Sequence, residues 1–304
     1  MLILAMRFVR LFFFGNYFYG LCTVALSVEA ALQQDFPLNS LAYYAAVFCA
    51  AVYYYALAYI TEGTADKTNL RSVWYADNRK LVKQSQALMA VGFVLAAVIF
   101  VAQGSWRPVE IPLSNWAIFL LFPLAGALYY GLSGKGMGKY TLRRIGWLKP
   151  FAIGFTWAGL VTAYPLLFHQ LQKGEAYVPT WISALLFIKN FMFITVLCIM
   201  FDIKDYAADH NLRIKTFVVI NGLRRTIFFI LLPLCFLGLA AYLYYGLERH
   251  FSGARILINV IPFALLIEVA YSMHRRRSIF YYLIIIDGLM LVKALCGITA
   301  MRFL

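Results

Sequence analysis

Polar residues along this chain come in short runs, separated by long stretches in which nearly every position is apolar. Ala87–Val101 and Phe228–Tyr245 carry no charge over a length that suits helices crossing a bilayer. A window of about 19 residues marks such stretches. It gives nine candidate spans, at 11–31, 40–60, 85–103, 114–132, 150–170, 180–201, 226–246, 256–273 and 279–301. The pattern therefore predicts an all-α, polytopic membrane protein of about nine transmembrane helices, in a single transmembrane domain over 1–304. Arg7 and Arg10 precede the first stretch, and Leu11 to Leu32 is long for the apolar part of a cleaved signal, so it reads as a retained anchor.

Composition agrees. Of 304 residues, 63% are hydrophobic and 13% charged, against about 45–50% and 25% in soluble domains. The mean hydropathy is +0.76. Disorder, collagen, a coiled coil and a disulfide scaffold are excluded. Cys22, Cys49, Cys198, Cys235 and Cys296 all fall in apolar stretches without metal-ligand spacing. Lys and Arg number 27 against 13 acids, a formal charge of +14.

That charge sorts by loop. Segments 61–84, 133–149, 202–225 and 274–278 carry 5, 5, 5 and 3 basic residues, and Arg7 and Arg10 fall on the same face. The other face has Arg107, Lys173, Arg249, Arg255 and Arg302. By the positive-inside rule the N-terminus is cytoplasmic and the C-terminus outside. The expected location is the plasma (inner) membrane, and no nucleic-acid partner is needed to explain the charge.

Acids cluster in two loops of the basic face. Glu62, Asp66 and Asp77 follow the second span; Asp202, Asp205 and Asp209 follow the sixth. Glu62/Asp66 and Asp205/Asp209 are i,i+4, a spacing that stacks carboxylates on one face of a helix. Like charges so placed destabilise a helix by about 0.2–0.5 kcal/mol per pair. Two readings stand here: acids collecting in solvated loops, or two acidic turns holding Mg²⁺ against a diphosphate.

The run Phe201-Asp202-Ile203-Lys204-Asp205-Tyr206-Ala207-Ala208-Asp209, followed by Arg213-Ile214-Lys215-Thr216, resembles the second aspartate motif of the UbiA superfamily of intramembrane prenyltransferases. Arg213 stands where that family usually has Gly. Leu148-Lys149-Pro150, Trp157 and Pro165 also match, as do the span count and the cytoplasmic side of the motifs. The first motif is degraded: Glu62 and Asp66 keep carboxylates, while Ala58 and Tyr59 occupy the usual Asn and first Asp positions.

The resemblance implies a UbiA-type helical bundle with its motifs in the cytoplasmic loops 61–84 and 202–225. It implies Mg²⁺-dependent transfer of a prenyl group from a polyprenyl diphosphate to a lipophilic, aromatic acceptor within the bilayer. It assigns Glu62, Asp66, Asp202, Asp205 and Asp209 as metal ligands, and Lys67, Arg71, Lys149 and Lys215 as groups that hold diphosphate oxygens. The alternative is a non-catalytic relative that binds an isoprenoid lipid, or a transporter.

Other features have plainer readings. The glycine-rich segment 131–139 lacks the order of a phosphate-binding loop and reads as a connector. Aromatics, 17% of the chain, gather near span ends as interface belts. No histidine pair has metal spacing. Lys189, Asn190, Glu268, Asp287 and Lys293 lie inside spans, where charge is costly. The expected pairings are Glu268 with Lys293, or Asp287 with Lys189.

Overall fold

The computed structural model describes residues 2–61, 70–104, 112–130, 145–173, 179–211, 213, 215–275 and 277–304. Among these residues there is no strand. Helices follow in the order α1 (Leu2–Phe14), α2 (Tyr17–Gln33), α3 (Leu41–Thr61), α4 (Leu70–Asp77), α5 (Arg79–Ala102) and α6 (Leu113–Tyr130). After them come α7 (Lys149–Lys173), α8 (Trp181–Asn211), α9 (Phe217–Asn221), α10 (Leu223–Glu248), α11 (Gly253–Ser272) and α12 (Tyr281–Phe303).

Six of these helices are long and apolar enough to cross a membrane: α5, α7, α8, α10, α11 and α12. The broken pair Arg7–Phe14 and Tyr17–Gln33, bent by 56°, makes a seventh if it is one span. The stretch that hydropathy marks at 40–60 and the described part of 114–132, up to Tyr130, are helical too, but their apolar parts, Leu41–Leu57 and Leu113–Tyr129, are shorter. On α5, Leu88, Val91, Val94, Leu95 and Val98 are each more than half exposed. An apolar stripe of that kind is rare on a water-soluble surface and natural against lipid. The chain fits an integral membrane protein in a lipid bilayer.

The fold divides into two compact units. One comprises residues 1–25, 38–110 and 168–175, the other 26–37, 111–167 and 176–304. In the first, α3 packs on α5 through Cys49, Val52 and Met89, with Tyr17 and Phe48 alongside. Rings of Tyr43, Phe100 and Phe168 form a second cluster. In the second unit, α8 packs against α7 and α10, and α11 against α10 and α12. Its core includes Phe193, with Phe263 edge-on to it and stacked on Tyr242. Three of its helices contain a wide turn, at Gly159–Ala163, Thr226–Leu231 and Tyr281–Ile286. Such turns leave backbone groups for side chains to meet, and Gln34 Nε2 donates to the Thr162 carbonyl at 3.2 Å.

The bend between α1 and α2 has a definite cause. Asn16 takes φ of 69°, a left-handed conformation that Asn tolerates better than most residues. Ending α1 there leaves its last carbonyls without helical donors. Arg71 of α4 fills the gap: its guanidinium donates to Phe14 O at 3.2 Å, to Phe13 O at 3.4 Å and to Asn16 Oδ1. The Tyr75 hydroxyl donates to Phe14 O at 3.0 Å and accepts from Asn16 Nδ2 at 2.8 Å. Burial pushes that hydroxyl up to about 12, so it stays protonated at neutral pH. Tyr59 closes the cluster, stacked on Tyr75 at 4.7 Å with the Arg71 guanidinium 4.8 Å from its ring centre.

Arg71→Ala is expected to destabilise the protein by about 1.5–3 kcal/mol, the worth of charged hydrogen bonds. Arg71→Lys is expected to recover little, because an ammonium cannot lie as a flat group against the Tyr59 and Tyr19 rings while reaching the carbonyls. Unfolding of both variants by SDS titration checks this; a midpoint unchanged in Arg71→Ala contradicts the clamp.

Candidate functional site

At one end of the second unit, four segments converge. The first is the turn 145–148, which leads into α7 at Lys149, with Pro150 in the first turn where its missing N–H costs nothing. The second is the C-terminal part of α8. The sequence reading places Asp202, Asp205 and Asp209 in a loop, but α8 runs without a break to Asn211, for 31 residues. Nothing between 202 and 209 breaks a helix, and Ala207 and Ala208 favour one. The turn away from α8 comes at Arg213, with φ of 55°. The third segment, 215–216, lies against the first: a Cβ on Gly146 would fall 2.3 Å from the Lys215 carbonyl oxygen, so only glycine fits that crossing. The fourth is α9, whose Phe217 meets the Phe151 ring at 5.5 Å.

The central contact is an ion pair. Lys149 Nζ donates to Asp202 Oδ1 at 2.8 Å, with the Asp202 side chain 3% exposed. The other carboxylate oxygen, Oδ2, is buried and has no hydrogen-bond partner among the described residues. The buried Thr216 hydroxyl faces the Asp209 carboxylate. Asp205 is half exposed and pairs with its neighbour Lys204 at 3.3 Å, a contact worth little in solvent. Burial, with the negative charges of Asp205 and Asp202 nearby, raises the Asp209 carboxyl above the usual carboxylate range. This end of the unit therefore gathers three acids around the Lys149 ammonium, with Lys204 paired to one of them.

The structure thus brings Lys149, Asp202, Asp205 and Asp209 together, with the Lys215 backbone beside them and its side chain exposed. Arg71 is engaged with the α1 carbonyls in the first unit. Glu62, Asp66 and Lys67 lie outside the described residues. Among the described residues no group of three or more His, Cys, Asp or Glu side chains is placed to hold a metal ion.

A second polar centre lies deep within the same unit. Lys189 of α8 and Lys293 of α12 both turn to Glu29 of α2. Lys293 Nζ donates to Glu29 Oε2 at 2.6 Å and Lys189 Nζ to Oε1 at 3.4 Å. Glu29 and Lys189 are 1% exposed and Lys293 3%. Gln33, one turn along α2, completes the network: its Oε1 accepts from Lys189 at 2.6 Å, and its Nε2 donates to Glu29 Oε1 and to Asn259 Oδ1, each at 3.1 Å. Gly297 makes the room, since a Cβ there would fall 2.4 Å from Glu29 Cγ.

The expected pairings of Lys293 with Glu268 and of Lys189 with Asp287 do not form. Glu268 is exposed, and both lysines share an acid that the sequence reading passes over. The signal was present, because Glu29 is the only charged residue in the stretch 11–31. Comparison with family models, curated proteins and solved structures yields no match.

Glu29→Gln leaves two buried ammonium groups facing a neutral amide. Breaking a buried pair from one side costs about 3–5 kcal/mol, so the variant is expected to unfold at markedly lower SDS fractions. An unchanged midpoint would remove the centre's structural role. Arg213→Gly is expected to hold or raise stability by up to about 1 kcal/mol, because glycine has no Cβ penalty in the left-handed region. A loss above about 1 kcal/mol in the same titration contradicts that.

Proposed function

We propose that this protein transfers a prenyl group from a polyprenyl diphosphate to a lipophilic acceptor, as its resemblance to the UbiA superfamily implies. The observation that carries the reading is the Lys149–Asp202 ion pair. It joins two segments some fifty residues apart in sequence, Leu148-Lys149-Pro150 and the Asp202–Asp209 run, on which the resemblance rests. The third segment with that resemblance, Lys215-Thr216, lies against Gly146. Arg213 supports the same reading, since its positive φ falls where the family pattern has glycine.

Carboxylate oxygens are hard donors of the kind Mg²⁺ prefers, and Asp202 has one buried oxygen without a partner among the described residues. The resemblance assigns Asp202, Asp205 and Asp209, with Glu62 and Asp66, to hold the ion; as they stand here, the three described acids do not form a group that could hold one. When bound, Mg²⁺ supplies charge neutralisation for a diphosphate. Lys149 and Lys215 contribute the donors that hold diphosphate oxygens as negative charge develops on them. Lys149 is already fixed by Asp202, so little ordering remains when an oxygen arrives. The apolar helices below accept the isoprenoid tail and keep water from the allylic carbon. The proposed orientation is motifs and N-terminus cytoplasmic in a plasma (inner) membrane, and the proposed architecture is a nine-span bundle.

A second reading, a non-catalytic binder of isoprenoid lipid, is favoured by Tyr59. Where the family pattern has a carboxylate, this chain has a ring packed between Tyr75 and Arg71.

Binding of farnesyl diphosphate to the purified protein in detergent, with and without Mg²⁺, separates the two. Mg²⁺-dependent binding, followed by diphosphate release on adding aromatic acceptors, is expected. Asp205→Asn and Asp209→Asn are each expected to reduce release at least about a hundredfold in folded protein. Full release in both variants, or binding indifferent to Mg²⁺, overturns the enzyme reading.

A further inference from the structure

The Glu29 centre holds two basic side chains and one carboxylate, all sealed from solvent. With both lysines protonated it carries one surplus positive charge. Among the described residues the other ionisable groups facing it are neutral ones: the Tyr242 and Tyr245 hydroxyls of α10 and the Cys296 thiol of α12. From α11 it meets the Asn259 amide, while α7 offers the Thr162 hydroxyl to Asn190, the next residue along α8.

Geometry separates the two lysines. Lys293 is locked to Glu29 Oε2 at 2.6 Å. Lys189 stands farther from the carboxylate, at 3.4 Å, and makes its short contact, 2.6 Å, with the amide oxygen of Gln33. An amide oxygen can accept from a neutral amine as well as from an ammonium, although the bond to the ammonium is the stronger. Lys189 can therefore lose a proton and still keep Gln33 as a hydrogen-bond partner, whereas Lys293 cannot do so without dismantling its ion pair with Glu29.

A polar route leads outward within the same unit. Gln33 donates to Asn259, and Asn259 Nδ2 donates to the Arg255 carbonyl at 2.9 Å in the first turn of α11. Ser252, Gly253 and Ala254 beside it are exposed. Just past Gln33, the exposed Asp35 pairs with Arg249. Lys189 itself sits eight residues, about 12 Å, into α8 from Trp181.

We propose that the Glu29–Lys189–Lys293 cluster is an intramembrane proton-exchange site, reached from the Arg255 end of the unit through Gln33 and Asn259. The exchange is a single step: the Lys189 ammonium gives one proton to water and remains as an amine donating to Gln33 Oε1. The Lys293–Glu29 contact at 2.6 Å is left untouched, and the cluster carries one positive charge fewer. Three helices, α2, α8 and α12, thereby feel the pH of the water at that end. The inference stands apart from the prenyl-transfer reading and rests on none of its residues.

The test is ¹⁵N NMR of lysine-labelled protein in lipid nanodiscs, titrated from about pH 5 to pH 9, a range in which a lysine in water stays ammonium. One lysine signal is expected to move from the ammonium to the amine position, and to be missing from Lys189→Met. In Lys293→Met, one lysine faces one carboxylate, and the Lys189 signal is expected to stay at the ammonium position throughout. If every wild-type lysine remains ammonium to pH 9, the cluster is structural only and the proposal fails. It fails equally if the moving signal survives in Lys189→Met. A wild-type titration in which no lysine leaves the ammonium position overturns the proposal even if neither variant folds.

Discussion

Polar atoms inside a bilayer have no water to fall back on, so each must find its partner within the protein. The second unit meets that constraint by gathering donors on the carboxylate of Glu29. Two lysines and a glutamine, from three helices, converge on its two oxygens. Spacing between α2 and α12 is then set by what the carboxylate needs, and Gly297 is the residue that allows it. Apolar packing of Phe193, Phe263 and Tyr242 surrounds this centre, and it is the ionic contact that fixes how α2, α8 and α12 register.

The same logic recurs in smaller form at the break between α1 and α2. A left-handed Asn16 leaves carbonyls exposed, and Arg71 with Tyr75 supplies the donors. At the Lys149 end the constraint is met only in part. Asp202 keeps one oxygen unpartnered among the described residues, and Asp209 is crowded by like charge. Strain-free regions of a protein are satisfied regions, and an unsatisfied acidic cluster at a helix end marks where a ligand has something to contribute.

Much of this was legible in the residues. The all-helical class and the long apolar spans follow from runs that carry no charge, and α5, α7, α8, α10, α11 and α12 lie where hydropathy puts them. The end of α8 was less legible: a charged segment reads as a loop by hydropathy, but helix propensity carries it on to Asn211. Pairing inside the membrane was not legible at all. Glu29, Lys189 and Lys293 are 160 and 264 residues apart along the chain, and no local spacing rule reaches across such separations. For the acids, i,i+4 spacing identified a shared face and the resemblance set Lys149 near them; only the fold could show the ion pair between Lys149 and Asp202.

The length of α8 has a consequence of its own. Its 31 residues span about 46 Å, and the hydrocarbon layer of a bilayer is about 30 Å thick. Roughly ten residues must stand clear of the oil, and the acidic turns from Asp202 onward are the polar ones. Stood upright, the helix is long enough to keep Lys189 among the lipid tails while its last turns, with Asp205 and Asp209, reach the headgroups. Any molecule that touches those acids while its tail stays in the membrane must therefore be built like a lipid, with its charge at one end.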